Sequence, residues 1–184
     1  MALASAFELS NTLHTNTPSS WCDTHCTPPL KAVTGSSAGR AAKDRHGESF
    51  AFYPDVPSVL SGARLTGLKV AAASRTSAPD VAMELLRLLT ITDETQGKAS
   101  NKAAKEYFDN LQIYPGSKIA HVEGIKKKLG VEFADMLFFD DEERNRNVER
   151  ERGVCFYLVR DGVTREEVDR GVERWRKASG VGGA

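Results

Sequence analysis

Two adjacent carboxylates, Asp140 and Asp141, follow directly on the apolar run Met136-Leu137-Phe138-Phe139 and precede the charged stretch Glu142-Glu143-Arg144-Asn145-Arg146-Asn147. Paired carboxylates suit a hard cation, because Mg²⁺ takes oxygen ligands and commonly bridges to a substrate phosphate. The alternative use of such a pair is structural, with one Asp capping the next helix and the other solvated. Two further groups carry chemistry of the same kind. Ser74-Arg75-Thr76 offers hydroxyl and backbone donors for phosphoryl oxygens and a guanidinium for a substrate anion. Lys118 can neutralise charge that grows during phosphoryl transfer. Each also has a plain reading: Ser74 as a turn residue, Arg75 as a surface charge, and Lys118 as a first-turn lysine, although a cation there opposes the helix dipole.

These groups converge only if the elements before them are parallel strands. Four large apolar residues before Asp140 suit a strand buried on both faces, which would set the two carboxylates at the strand's carboxyl end, where open α/β sheets bind ligands. Leu68 to Ala73 reads as a second strand of small residues ending at Ser74. Ser117 caps a helix that begins at Lys118, carries Ile119, Val122, Ile125 and Leu129 inward, and stops at Gly130. Pro57 and Pro79 open two earlier helices, the first closed by Gly67. Val154 to Val159 is a further strand, and Thr164 with Glu167 forms a capping box for the last helix. Thr90 to Asn110 is polar and reads as an insertion that is partly helical around Lys102 to Phe108. The alternation of helix and strand predicts one α/β domain, a parallel sheet flanked by helices. Residues 1–47 read as an irregular N-terminal segment, 48–178 as the core, and 179–184 as a flexible tail.

Composition narrows the function classes. The 184 residues balance 25 Lys and Arg against 25 Asp and Glu, so no overall field draws the chain to nucleic acid or to a membrane surface. No apolar run is long enough for a membrane span. Three cysteines, Cys22, Cys26 and Cys155, are an odd number for a secreted disulfide framework, which favours a reducing compartment and a cytoplasmic location. His25 beside Cys22 and Cys26 raises zinc, but a second ligand pair is absent from the spacing.

Three segments in order, Ala71-Ala72-Ala73-Ser74-Arg75-Thr76-Ser77, Ile113-Tyr114-Pro115-Gly116-Ser117-Lys118-Ile119 and Leu137-Phe138-Phe139-Asp140-Asp141-Glu142-Glu143-Arg144-Asn145, closely resemble the eukaryotic magnesium-dependent phosphatases of the haloacid dehalogenase-like superfamily. Trp21 to His25 with Pro28-Pro29, and Tyr53 to Pro57, are similar to further segments of that family. The resemblance implies a Rossmann-like α/β fold with a minimal cap or none, Mg²⁺ as cofactor, and a phosphorylated small molecule or phosphoprotein as substrate. It implies that Ser74 binds the transferred phosphoryl group, that Arg75 contacts the substrate, that Lys118 screens charge, and that Asp140 and Asp141 complete the Mg²⁺ site.

The family's first motif, Asp-x-Asp-x-Thr-Leu, supplies a nucleophile and an acid/base. In this chain the nearest match is Phe7-Glu8-Leu9-Ser10-Asn11-Thr12-Leu13, with Glu8 at the nucleophile position and Ser10 at the acid/base position. Glu is one methylene longer, and a 1 Å misplacement can cost on the order of 10²-fold in rate. Ser does not shuttle a proton near neutral pH as a carboxylate does. The segment before Glu8 is also a weak strand, small and without a β-branched residue. The departure fits either a catalytically silent phosphate-binding protein or a wrongly assigned first exon.

Overall fold

Five parallel strands form the sheet on which the candidate residues stand: β1 (Ala4–Phe7), β6 (Lys69–Ser74), β9 (Asn110–Ile113), β10 (Met136–Asp140) and β11 (Cys155–Leu158), in the spatial order β11-β10-β1-β6-β9. The computed structural model describes residues 4–7, 13–15, 26–35, 38–93 and 100–180. All of β10 is buried, as its unbroken apolar run predicts, because helices cover both faces of the sheet.

The period of two sorts these strands cleanly. Phe7, Val70, Ala72, Leu137 and Phe139 point to the face covered by α1 (Val56–Leu65), α2 (Pro79–Leu88) and α5 (Arg165–Ser179). Ala4, Ala6, Ala71, Ala73, Met136 and Phe138 point to the other, under α3 (Lys118–Leu129) and α4 (Asn147–Arg152). The alanines of β1 and β6 let α3 lie close to the sheet, and Phe138 fills the space beside them. Burying a side chain such as Phe138 contributes about 1.5–3 kcal/mol.

The first residues are more ordered than the sequence pattern suggests. Ala4 to Phe7, within the stretch expected to be irregular, is the central strand: it pairs with β10 on one side and β6 on the other, with Phe7 opposite both Phe139 and Ala72. Strand propensity is overridden there because both edges of β1 are paired and its small side chains fit between two helical layers. The four residues bury completely, and the Phe7 ring stacks on Phe139 at 4.9 Å with 5° between planes. Glu8 and Ser10 lie outside the described residues.

A small antiparallel sheet of β2 (Leu13–Thr15), β3 (Lys31–Ala32), β4 (Ala41–Lys43) and β5 (Ser49–Phe52) follows, ordered β2-β5-β4-β3. Asp44 ties its turn, accepting from the backbone N–H groups of His46 at 2.8 Å, Glu48 at 3.0 Å and Thr27 at 3.2 Å.

The stretch from Thr90 to Asn110 is helical where expected, around Lys102 to Phe108, though only as a short 3-10 turn, and the strands on either side of that turn are the correction. It forms a hairpin of β7 (Thr90–Asp93) and β8 (Ser100–Ala103), one 3-10 turn at Ala104–Tyr107, and then β9. An edge strand is half-solvated, so β9 needs no continuous apolar run, and its Asn110 and Gln112 hid it from pattern reading. Helix ends agree better with the sequence. Gly67 and Gly130 follow α1 and α3 with φ of 72° and 66°, and Ser117 Oγ accepts from Ala120 N at 3.2 Å. Asp55 precedes α1 without capping it through its side chain; its carboxylate accepts instead from Arg165 N at 3.1 Å. Of the expected tail, Ser179 ends α5 with its hydroxyl on Trp175 O, and residues 181–184 lie outside the described set. Among the described residues no helix is long and apolar enough to cross a membrane.

Candidate functional site

The carboxyl edge of the sheet gathers the candidates. Ser74 is the last residue of β6, Asp140 the last of β10, and Lys118 the first of α3. Lys118 is only 2% exposed, and its stem runs inward so that Nζ donates to Ala73 O at 2.5 Å and stands 3.5 Å from Asp140 Oδ2. The ammonium also lies 5.4 Å from the centre of the Phe138 ring. One lysine therefore links the ends of β6 and β10.

Two opposite charges 3.5 Å apart attract by roughly 5 kcal/mol at an effective dielectric near 20. Burying two ions costs several kcal/mol each, so this pair is not held for stability alone. Burial pushes the Lys118 ammonium down from its ordinary value, opposed by Asp140, Glu142 and Asp141. Burial likewise pushes the Asp140 carboxyl up, opposed by Lys118, Asn145 and the Glu142 N–H.

Asn145 closes the third motif, but sequence reasoning gave it no role. It is buried in the 3-10 turn Glu143–Arg146, and its Nδ2 reaches both oxygens of Asp140 at 2.9 Å and Glu142 Oε2 at 3.0 Å. The Glu142 N–H donates to Asp140 Oδ1 at 2.8 Å. Its place soon after the aspartate pair was the available signal. These donors fix the orientation of Asp140, while Asp141 is half-buried beside it.

Arg75 leaves the end of β6 and forms an ion pair with Glu142, which also pairs with Arg144. Burial pulls the Glu142 carboxyl upward, but Arg144, Arg75 and Asn145 outweigh it and hold it below the usual range. Thr76 is buried, and its Oγ1 accepts from Ala78 N at 3.1 Å, so this hydroxyl serves the turn into α2. The structure thus brings Ser74, Arg75, Lys118 and Asp140 to one edge, with Thr76 set in the adjoining turn.

His121, for which the sequence offers no partner, is fully buried behind Lys118. Its Nδ1 lies 2.7 Å from Ser117 O and its Nε2 3.0 Å from Tyr114 O, and its ring stacks on Tyr114 at 4.3 Å. Burial, with the Lys118 charge, pushes its pKa down against the pull of the Ser117, Tyr114 and Ser74 carbonyls.

Asp140 and Asp141 are hard oxygen donors at the mouth of a parallel sheet, a set that suits Mg²⁺ rather than a thiophilic metal. Among the described residues no group of three or more His, Cys, Asp and Glu side chains forms a metal cage. Mg²⁺ does not require one, since it keeps several waters and takes only one or two carboxylates alongside substrate oxygens. Of the residues that raised zinc, Cys26 is half-buried, and burial, with Asp44, Glu48 and Glu84, pushes its thiol up to about 11. Cys22 and His25 lie outside the described residues.

A doubly covered parallel sheet with a carboxylate pair, a buried lysine and a hydroxyl on its carboxyl edge makes this an α/β protein of the Rossmann-like class. Within that class, the chain belongs to the Acid Phosphatase family, whose model matches residues 4–178. It is 36% identical over 158 residues to magnesium-dependent phosphatase 1 of Homo sapiens, covering 86% of this chain and 80% of that protein. An HAD-like hydrolase superfamily protein of Schizosaccharomyces pombe is 37% identical over 136 residues, covering 74% and 75% of the two chains. Among solved structures, the N-terminal part of a Bacteroides fragilis protein containing a phosphatase domain complexed with Mg is similar with a TM-score of 0.53 and 18% identity. That match spans 91% of this chain and 39% of the other, and it bears on the fold alone.

Proposed function

We propose that this chain is a Mg²⁺-dependent phosphomonoester hydrolase of the cytoplasm, acting on phosphotyrosine or on phosphorylated sugar groups attached to proteins. The observation that carries this reading is Lys118, which spans from Ala73 O at the end of β6 to Asp140 at the end of β10 and so sets a buried cation between the ends of the two strands that carry Ser74 and Asp140. In this reading Ser74 Oγ holds a phosphoryl oxygen, Lys118 neutralises the charge that accumulates on it, and Arg75 meets a further anionic part of the substrate. Asp140 and Asp141 would hold the Mg²⁺, which when bound supplies additional positive charge to the phosphoryl oxygens. Asn145 and the Glu142 N–H keep the Asp140 carboxylate aimed. The name of the human relative supports the cofactor, and the family resemblance supports the substrate class.

Glu8 and Ser10 favour a second reading, a silent module that binds phosphate without turning it over. Glu8 follows the last residue of β1, and Ser10 stands where the family has a carboxylate to move the proton. Hydrolysis of p-nitrophenyl phosphate in Mg²⁺ separates the two. We expect slow turnover that Asp141→Asn abolishes and that the pair Glu8→Asp, Ser10→Asp raises by on the order of 10²-fold. Phosphate binding without any Mg²⁺-dependent turnover would leave the silent module as the function.

A further inference from the structure

We infer that His121 is a positioning residue that fastens the turn Tyr114 to Ser117 and thereby sets both Lys118 and the Ser74 end of β6. The inference rests on the reading of Lys118 and Ser74 as phosphate-handling groups, and it adds a residue that touches neither substrate nor metal. Three observations carry it. The imidazole is 0% exposed and has a carbonyl oxygen within hydrogen-bond distance of each ring nitrogen, Ser117 O at 2.7 Å and Tyr114 O at 3.0 Å. Those carbonyls bracket the turn that delivers Lys118 to its place as the first residue of α3. The turn is in turn hooked to β6, since Tyr114 N donates to Ser74 O at 3.1 Å.

The chemistry of the ring sets where the fastening lies. A ring nitrogen donates to a carbonyl only when it carries a proton, so a neutral imidazole fastens the turn at Ser117 or at Tyr114 according to its tautomer, and a doubly protonated ring fastens it at both. Stacking on Tyr114 at 4.3 Å holds the ring plane. Lys118 must keep its Nζ between Ala73 O and Asp140 at 2.5 and 3.5 Å, and a displacement near 1 Å at such a site costs on the order of 10²-fold.

The test compares His121→Phe, which keeps the aromatic stack but has no donor, with His121→Gln, which keeps one. Amide hydrogen exchange reads the fastening directly. In His121→Phe the Tyr114 N–H should exchange at least 10-fold faster while Val122 and Ile125 in α3 keep their protection, and His121→Gln should fall between. Inorganic phosphate binding in Mg²⁺ reads the coupling. His121→Phe should weaken it about 10- to 100-fold, and adding Lys118→Met should weaken it by less than Lys118→Met does in the parent chain, because both changes act on the same contact. Unchanged Tyr114 exchange, or multiplicative losses in the double variant, would overturn the inference. If the unaltered chain binds no phosphate, the phosphatase reading fails separately and the exchange result alone decides whether His121 fastens the turn.

Discussion

Replacing Gly171 by Ala should destabilise the protein, although alanine is the better helix former. Gly171 lies in α5 against β10, and a methyl group on it would stand 2.6 Å from Phe139 Cε1, 2.8 Å from Phe139 Cζ and 3.5 Å from Leu137 Cδ2. Carbon atoms in favourable contact sit about 3.5–4.0 Å apart, so the ring would have to retreat by about 1 Å. It has nowhere to go. Phe139 is 0% exposed, stacked on Phe7 at 4.9 Å and edge-on to Tyr157 at 5.7 Å. Helix propensity alone favours alanine by about 1 kcal/mol, whereas overpacking a filled core costs about 1–3 kcal/mol, and the rigid ring places this site in the upper half of that range. The net expectation is a loss of about 1–2 kcal/mol, read by urea denaturation followed through tryptophan fluorescence. At this chain length it corresponds to a fall in Tm of about 2–8 °C. Gly124→Ala is the control. There the new methyl would meet only the end of the Gln112 side chain, which can move at the cost of its hydrogen bond to Asn110 Oδ1, so the gain in helix propensity and that loss nearly offset and the change should lie within about 1 kcal/mol of neutral. If Gly171→Ala proved as stable as the parent, or if both variants shifted alike, the claim that Phe139 is pinned would be wrong.

Asn145→Leu should cost about 1.5–3 kcal/mol, because it removes the donor from both oxygens of a buried carboxylate, and an unchanged urea midpoint would show that Asp140 is held by something else. Asp44→Ala should cost a similar amount, about 1.5–3 kcal/mol, at neutral pH through the loss of its backbone partners. Burial pulls the Asp44 carboxyl upward, but the Thr27, Glu48 and His46 N–H groups outweigh it and hold it below the usual range. A depressed folded-state pKa contributes stability above the unfolded pKa of about 4 and loses it as pH falls through the folded pKa. The gap between parent and variant should therefore narrow below about pH 4 in denaturation curves; a gap that stays constant would refute the role given to the ionised carboxylate.

What was readable in the sequence was whatever local pattern controls. The apolar run of β10 announced a strand with both faces covered, the glycines after α1 and α3 marked their ends, and Ser117 marked the start of α3. Ser74, Lys118 and Asp140 could be placed at one edge because strand ends and a helix start in a parallel sheet must face the same way. What escaped was decided by distant partners. β1 has only alanine, serine and one phenylalanine, and it is a strand because β6 and β10 flank it. β9 alternates with polar residues because it is an edge. His121 bonds to backbone carbonyls, whose positions no residue type encodes, and Asn145 points inward from a turn that reads as surface.

The placement of β1 bears on how the chain is made. Its four residues leave the ribosome well before either partner: one neighbour begins at residue 69 and the other only at residue 136. During synthesis the central strand must wait, unpaired on at least one edge, until most of the chain has been produced, and long-range parallel pairing of this kind is slow and exposed to aggregation. Its run of small side chains presents little apolar surface in that interval, so the residues that made β1 hard to find by pattern also make it safe to leave uncovered.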